Sequence, residues 1–175
     1  MLKKGVRLIE LIGFRTAINF AIKADENETF DATFKLGLLF NDDNVKPKTE
    51  KTVALIMKRS TGFVDAYKAL YDEHKVVRQK EDGFDGETED VVQGYKSIFG
   101  TITLSIPDFG GCNELKEKYD TAYENLAKEH EDMFKEFNEA VEKKVDVNIE
   151  MVSSDKVPRE LGYSVLKHLS LMLKV

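Results

Sequence analysis

The chain has 175 residues, with 26 Lys and Arg against 32 Asp and Glu, so its formal net charge is −6. This length fits a single domain, since domains usually hold about 100–200 residues. The acidic balance argues against nucleic-acid binding, which needs clustered cations. No apolar run approaches the ~18 residues of a membrane span, and a single cysteine cannot form an internal disulfide. We therefore expect a cytoplasmic chain that binds no membrane.

The N-terminal segment predicts a short strand and a short helix. Residues 6–12 (V-R-L-I-E-L-I) are rich in β-branched side chains and end at Gly13, which favours a strand. Apolar residues between 14 and 22 recur at steps of three and four, which is typical of a helix. The polar run at 25–28 is expected to end this helix.

The next segment predicts a second helix followed by a loop. The apolar pattern of residues 32–40 fits either a helix or a strand, and we favour a helix. The Asn and Asp side chains at 41–44 compete for local backbone hydrogen bonds, and Pro47 has no N–H to donate. We therefore expect a loop there.

Two longer stretches carry the apolar spacing of amphipathic helices. Residues 49–80 place a nearly heptad seam at Val53, Ile56, Ser60, Phe63, Tyr67, Leu70, His74 and Val77. Residues 113–144 repeat this period at Leu115, Tyr119, Ala122, Leu126, His130, Met133, Phe137, Ala140 and Lys144. At a rise of 1.5 Å per residue, each helix would be ~48 Å long. The two stripes are buried most simply against each other in an antiparallel hairpin, and Gly62 favours a bend in the first helix.

The remaining segments predict a small β element and a mixed tail. Residues 81–90 are acidic, contain two glycines and predict an exposed loop. Apolar and polar residues alternate within 95–106, which predicts a half-buried strand with Val91 and Val92 as its hairpin partner. Residues 145–152 alternate in the same way, and Pro158 is expected to open a short helix that reaches residue 174.

Together these segments predict a mostly helical α+β fold. It consists of a long antiparallel helical hairpin, a small antiparallel β-sheet and short flanking helices. We expect a single domain over residues 1–175. Within it, residues 1–48 and 145–175 form a small α/β base, and residues 49–144 form a helical arm with a β insertion near 91–106.

The order of these parts resembles a loose group of small uncharacterised proteins from tailed phages. The residues that carry the resemblance are F-K-E-F-N-E-A-V-E-K-K-V-D-V-N-I at 134–149 and V-P-R-E-L at 157–161. The insertion at 91–106 departs from the pattern. The resemblance implies a phage origin, a location in the host cytoplasm and a non-enzymatic accessory or host-directed role. It assigns no functional residue.

Groups that could support catalysis or bind a metal are spread widely along the chain. The strings that begin at Glu114 and Glu129 match the E-x-x-E and E-x-x-D pairs with which helical nucleotide hydrolases hold magnesium. About 22 Å of helix separates them, which is too far to share one ion. In an antiparallel hairpin His74 would lie near the level of Tyr119 and His130 near Phe63, several turns apart, which favours structural roles. We predict no catalytic residue, no metal and no cofactor.

A role in protein–protein interaction is the favoured hypothesis, because helices of this length exceed what the other segments can cover. The expected partner is a host or phage protein, such as a defence component or a virion component, and we also expect a homo-oligomer. The predicted partner-binding residues are Phe63, Tyr67, Tyr71, Tyr119, Tyr123, Asp82, Asp85 and Glu87. Two alternatives stay open: a magnesium-dependent nucleotide hydrolase that combines carboxylates of two chains, and a nucleic-acid binder that uses Lys46, Lys48, Lys51, Lys58 and Arg59.

Overall fold

The computed structural model describes residues 1–27, 29–81, 83 and 86–174. The chain forms two compact units, one from Met1–Leu55 and Asn138–Val175 and the other from Ile56–Phe137. In chain order the elements are β1 (Leu2–Arg7), α1 (Leu8–Ala24), α2 (Ala32–Arg59), α3 (Thr61–His74), β2 (Val76–Gln79), β3 (Thr88–Ile98), β4 (Ile102–Pro107), α4 (Asn113–Glu129), α5 (Glu131–Val141), β5 (Lys144–Asn148), β6 (Val152–Ser153), α6 (Tyr163–Leu169) and β7 (Leu173–Lys174). The mostly helical α+β class is confirmed. None of the described helices is both long and apolar enough to cross a bilayer.

The first unit contains the whole predicted base, residues 1–48 and 145–175. In it, β1 pairs with β5 in antiparallel register, and the short strands β6 and β7 pair in parallel. The core of this unit lies among α1, α2, β5 and α6. Its largest fully buried side chains are Phe14, Phe34, Leu11, Ile18, Leu38, Ile149, Leu169, Met172 and Val45.

The strand predicted over residues 6–12 is wrong from Leu8 onward, where α1 begins. Leu8, Leu11 and Ile12 are buried at helical spacing, whereas Glu10 between them is exposed. The Glu10 carboxylate also accepts the Arg7 backbone N–H at 3.2 Å, which satisfies a donor at the start of the helix. In this segment the helical spacing of the apolar residues therefore outweighs their β-branched composition.

The loop predicted at residues 41–44 and Pro47 is also wrong, because α2 continues through it. The buried side of α2 includes Asn41, Val45 and Thr49, and the Thr49 hydroxyl donates to the Val45 carbonyl at 3.2 Å. Pro47 is exposed, so the backbone group it leaves without a partner can bond to water. Tertiary packing here outweighs the local preference of Asn, Asp and Pro.

Gly37 allows α2 to pack closely in the first unit. A Cβ at this position would overlap Cγ2 of Val152 and lie 3.1 Å from Cε of Met172. Glycine costs an exposed helix about 1 kcal/mol relative to alanine. At Gly37 a glycine is needed in spite of this cost, because β6 packs too close to α2 to leave room for a Cβ.

The second unit contains the antiparallel helix pair that the two seams predicted. The Phe63 ring of α3 lies 5.5 Å from the His130 ring that follows α4, and His74 near the end of α3 lies 6.1 Å from Tyr119. Ile56, Ser60, Phe63, Tyr67 and Leu70 of the first seam are buried. The antiparallel pairing is therefore confirmed in this unit.

A three-stranded antiparallel sheet in the order β2-β3-β4 completes the second unit. Val91 and Val92 lie in β3, which pairs with β4 as predicted, but Val92 stands opposite Pro107 and Val91 opposite Val76 of β2, so the predicted pairing holds only in part. The single strand predicted over 95–106 is two strands, because the chain reverses at Phe99 (φ 51°) and Gly100 (φ 63°). Strand β2 was missed because Val77 continued the helical seam.

The ends of the long helices differ from the predicted ones. The first predicted helix stops at His74 rather than Lys80, and it is interrupted at Ser60, two residues before Gly62. The Ser60 hydroxyl donates to the Met57 carbonyl at 3.2 Å, a bond that commonly bends helices. The second helix is interrupted at His130. The helix expected from Pro158 begins only at Tyr163.

Candidate functional site

Three of the aromatic residues predicted to bind a partner are part of the core of the second unit. Phe63 is 1% exposed, Tyr67 3% and Tyr119 6%. The Tyr67 hydroxyl donates to the Ser105 carbonyl at 2.6 Å and lies 2.7 Å from the Tyr119 hydroxyl. Burial raises the pKa of both tyrosines, and the hydrogen bond with Tyr119 raises the pKa of Tyr67 further. These side chains have almost no exposed surface, so we assign them to packing.

Tyr71 and Tyr123 are half-buried and keep part of their rings accessible. The Lys96 ammonium lies 3.9 Å from the centre of the Tyr123 ring, and Tyr119 stacks on the same ring. Burial raises the pKa of Tyr71, and the carboxylate of Asp90 adds to this shift. Their predicted role in partner binding stays a prediction.

The acidic segment predicted to face a partner is largely ion-paired where the structure describes it. Asp82 and Asp85 lie outside the described residues. Glu87 bonds Lys80 at 3.1 Å, and Glu89 bonds Arg78 at 3.0 Å across the β2–β3 pair. These pairs neutralise the charges of Glu87 and Glu89.

A groove of about 440 Å³ runs beside α3 in the second unit. Its lining includes Tyr71, Asp72 and Asp90. Lys75 lies 3.4 Å from each of the two carboxylates, and the Ser105 carbonyl on the groove wall already accepts the Tyr67 hydroxyl. Both carboxylates, the Tyr67 hydroxyl and the Ser105 carbonyl are therefore already bonded within the protein.

A second candidate lies in the first unit, where large apolar side chains are exposed on one side of α2. Leu36 is 67% exposed, Leu39 52% and Phe40 47%. Two grooves meet at Leu39. One, of about 500 Å³, includes the half-buried Met151 in its wall, and the other, of about 120 Å³, includes Ile22. We call Ile22, Leu36, Leu39, Phe40 and Met151 the Leu39 surface.

The helical repeat explains why these side chains point outward. With 3.6 residues per turn, burying Phe34, Leu38 and Val45 turns Leu36, Leu39 and Phe40 to the opposite side of α2. Apolar side chains grouped on the surface in this way mark interaction sites in soluble proteins.

Asn41 fixes the wall of the larger groove. Its side-chain amide is fully buried, accepts the Glu150 backbone N–H at 2.8 Å and donates to the Glu150 carbonyl at 3.0 Å. The neighbouring Ile149 exchanges two bonds with Met1, because its carbonyl accepts the terminal ammonium at 2.7 Å and its N–H donates to the Met1 carbonyl at 2.8 Å. The segment that carries Met151 is therefore anchored on one side of the groove.

The charges around the Leu39 surface divide into paired and unpaired groups. Asp25 bonds Lys35 at 2.8 Å, and Asp42 bonds Arg15 at 3.0 Å. Burial alone would raise the pKa of Asp25, but the bonds from Lys35 and the Phe30 N–H outweigh it and the pKa lies below its ordinary value. Asp43 and Glu150 are exposed, and among the described residues neither has a cation within ion-pair distance. Glu150 on the larger groove and Asp43, one turn beyond Phe40 on α2, therefore carry free negative charge.

Sequence reasoning missed the Leu39 surface because it treated residues 32–40 as one apolar piece. A signal was present: Phe34 and Leu38 supply one face of a helix, whereas Leu36, Leu39 and Phe40 supply the other. A helix that is apolar on both faces needs two partners. The structure provides one within the first unit.

The carboxylates proposed for magnesium binding lie on helix surfaces. Glu114 bonds Lys118 at 2.9 Å, and this bond lowers the pKa of Glu114. Glu129 at the end of α4 and Asp132 at the start of α5 are both exposed. Within the described ranges, no group of three His, Cys, Asp or Glu side chains could hold a metal ion. The hydrolase alternative stays untested.

Comparisons of the chain with protein-family models, curated protein sequences and solved structures found no match. The resemblance to tailed-phage proteins therefore stays a prediction. The function has to be argued from the surfaces themselves.

Proposed function

We propose that this chain acts by binding another protein through the Leu39 surface. The observation that supports this proposal is the exposure of Leu36, Leu39 and Phe40 beside an anchored groove. Removing apolar surface from water contributes about 25 cal/mol of favourable free energy per Å². Burying these side chains against an apolar partner therefore favours association. A preformed groove also lowers the ordering cost of binding.

The proposal specifies how the chain acts, and the resemblance to phage proteins adds an expectation about the partner. On that basis the partner is a host defence component or a virion component, met in the host cytoplasm. A homo-oligomer would use the same surface for a second copy. These finer statements stay predictions, and the identity of the captured partner tests them.

The proposal is tested by photo-crosslinking in cells that express the full chain. A benzophenone side chain is placed at position 40 in one variant and at position 20 in the other. Phe20 is 55% exposed in the same unit but lines neither groove, so it is a matched control. We expect a discrete crosslinked product from position 40 and none from position 20. Equal products from both positions, or none from position 40, would contradict the proposal.

A further inference from the structure

We propose that the Leu39 surface takes an amphipathic helix whose apolar stripe is flanked by Lys or Arg. This inference rests on the proposed function and names the partner chemistry of the same site. It combines three properties of the groove: the backbone groups in its walls, the spacing of its apolar side chains and the sign of its free charge.

The backbone in the groove walls favours a helical occupant over an extended one. Among the wall residues opposite α2, Glu150 has both its N–H and its carbonyl bonded to Asn41, and Val152 pairs with Leu173 of β7. The backbone of α2 is bonded within its own helix. An extended peptide would therefore find no free backbone group at Glu150 or along α2, whereas a helix satisfies its backbone internally.

The spacing of the exposed side chains also fits a helix. Leu36, Leu39 and Phe40 stand at i, i+3 and i+4, which forms a ridge along α2. Met151 lies across the larger groove from this ridge. A helix packs into such a groove with apolar anchors at i, i+3, i+4 and i+7.

The free charge at the rim selects the flanks of that helix. Asp43 lies one turn from Leu39 and Phe40, and Glu150 lines the larger groove. The nearest cations on α2 are Lys35, which bonds Asp25, and Lys46, which lies a further turn away. A partner with Lys or Arg beside its apolar stripe matches these carboxylates. A second copy would instead bring the same acidic rim to its own equivalent, which like charges disfavour.

The inference is tested with a displayed library of random peptides about 14 residues long, enough for roughly four helical turns. Selected peptides are synthesised, and their binding to the full chain is measured by fluorescence anisotropy and circular dichroism. We expect them to carry an apolar helical stripe with Lys or Arg flanks and to gain helicity on binding. Phe40→Lys should raise the dissociation constant of these peptides by about ten-fold or more, whereas Phe20→Lys should leave it unchanged.

The decisive part of this experiment is a charge reversal at the two free carboxylates. The double variant Asp43→Lys with Glu150→Lys should raise the dissociation constant of the selected peptides by about ten-fold. The thermal unfolding temperature of the chain should stay the same. Failure to select peptides, selection of extended or acidic ones, or indifference to the reversal would overturn the inference. So would a dimer in sedimentation that Phe40→Lys breaks and Phe20→Lys does not.

The two proposals fail in distinguishable ways. Crosslinking from position 40 together with failed or acidic peptides overturns the helical, basic partner and keeps the interaction surface. Loss of any difference between positions 40 and 20 in the crosslinking experiment overturns the interaction surface itself.

Discussion

Replacing Asn41 by alanine should destabilise the first unit more than any surface substitution on α2. The substitution removes two hydrogen bonds to Glu150, at 2.8 and 3.0 Å. Each bond is worth about 1 kcal/mol net, and leaving the part-buried Glu150 groups without partners adds about 1 kcal/mol. Alanine recovers about 0.5 kcal/mol of helix propensity. The expected loss is therefore about 2 to 3 kcal/mol.

Asn44→Ala is the matched control for this substitution. It is the same exchange three residues along α2, and it removes one exposed hydrogen bond, from the Asn44 amide to the Phe40 carbonyl at 2.8 Å. Because this bond is exposed and alanine gains propensity, we expect a change within about 0.5 kcal/mol.

Hydrogen–deuterium exchange is the suitable assay, because two compact units need not unfold as one. Asn41→Ala should lower the protection of core amides in α1 by about 30- to 140-fold, the factor that 2 to 3 kcal/mol implies. Asn44→Ala should leave it nearly unchanged. Equal protection in the two variants would refute the role assigned to the Asn41 amide.

Three further predictions concern packing and protonation. Gly37→Ala should destabilise the first unit by about 1 kcal/mol, because overlap of the new Cβ with Val152 outweighs the gain in helix propensity. Gly62→Ala should instead stabilise the second unit, because a Cβ there meets nothing within 4 Å. The two variants must therefore shift the thermal unfolding temperature in opposite directions. Tyr67→Phe should cost the second unit about 1 to 2 kcal/mol in urea unfolding, since the Ser105 carbonyl loses its 2.6 Å donor, and a loss no larger than that of Tyr123→Phe would contradict this. Folding raises the pKa of Tyr67, so above pH 10.0, the ordinary tyrosine pKa, the unfolded chain releases a proton that the folded chain keeps. The free energy of unfolding of the second unit should therefore fall as pH rises. Its slope against pH should be smaller in Tyr67→Phe.

The helix pair of the second unit could be predicted because its signal is local. Burial of Phe63, Tyr67 and Leu70 follows the helical repeat, which is written into residue spacing. The same spacing placed His74 near Tyr119 and His130 near Phe63, as the structure has them.

The errors arose where a distant contact decides the local structure. Asn41 reads as a loop former until its amide meets Glu150, a residue 109 positions away. Strand β2 reads as the end of a helix until Val76 and Val77 pair with β3. Local propensity carries no information about such partners.

Three of the predicted partner-binding residues, Phe63, Tyr67 and Tyr119, are buried for a related reason. Composition identifies Phe63 and Phe40 equally as contact residues, although one is 1% and the other 47% exposed. Exposure depends on which stripe the rest of the chain covers. The aromatic residues of the seams were covered by each other and by the sheet, and the apolar residues at the start of α2 were not.

The most direct test is the dissociation constant of the partner recovered by crosslinking, measured against the full chain and two variants. Phe40→Ala should raise the constant by about 30-fold, because truncating an apolar anchor costs about 2 kcal/mol. Phe20→Ala should leave it unchanged within about two-fold. Equal constants for the two variants would show that the partner does not bind through the Leu39 surface.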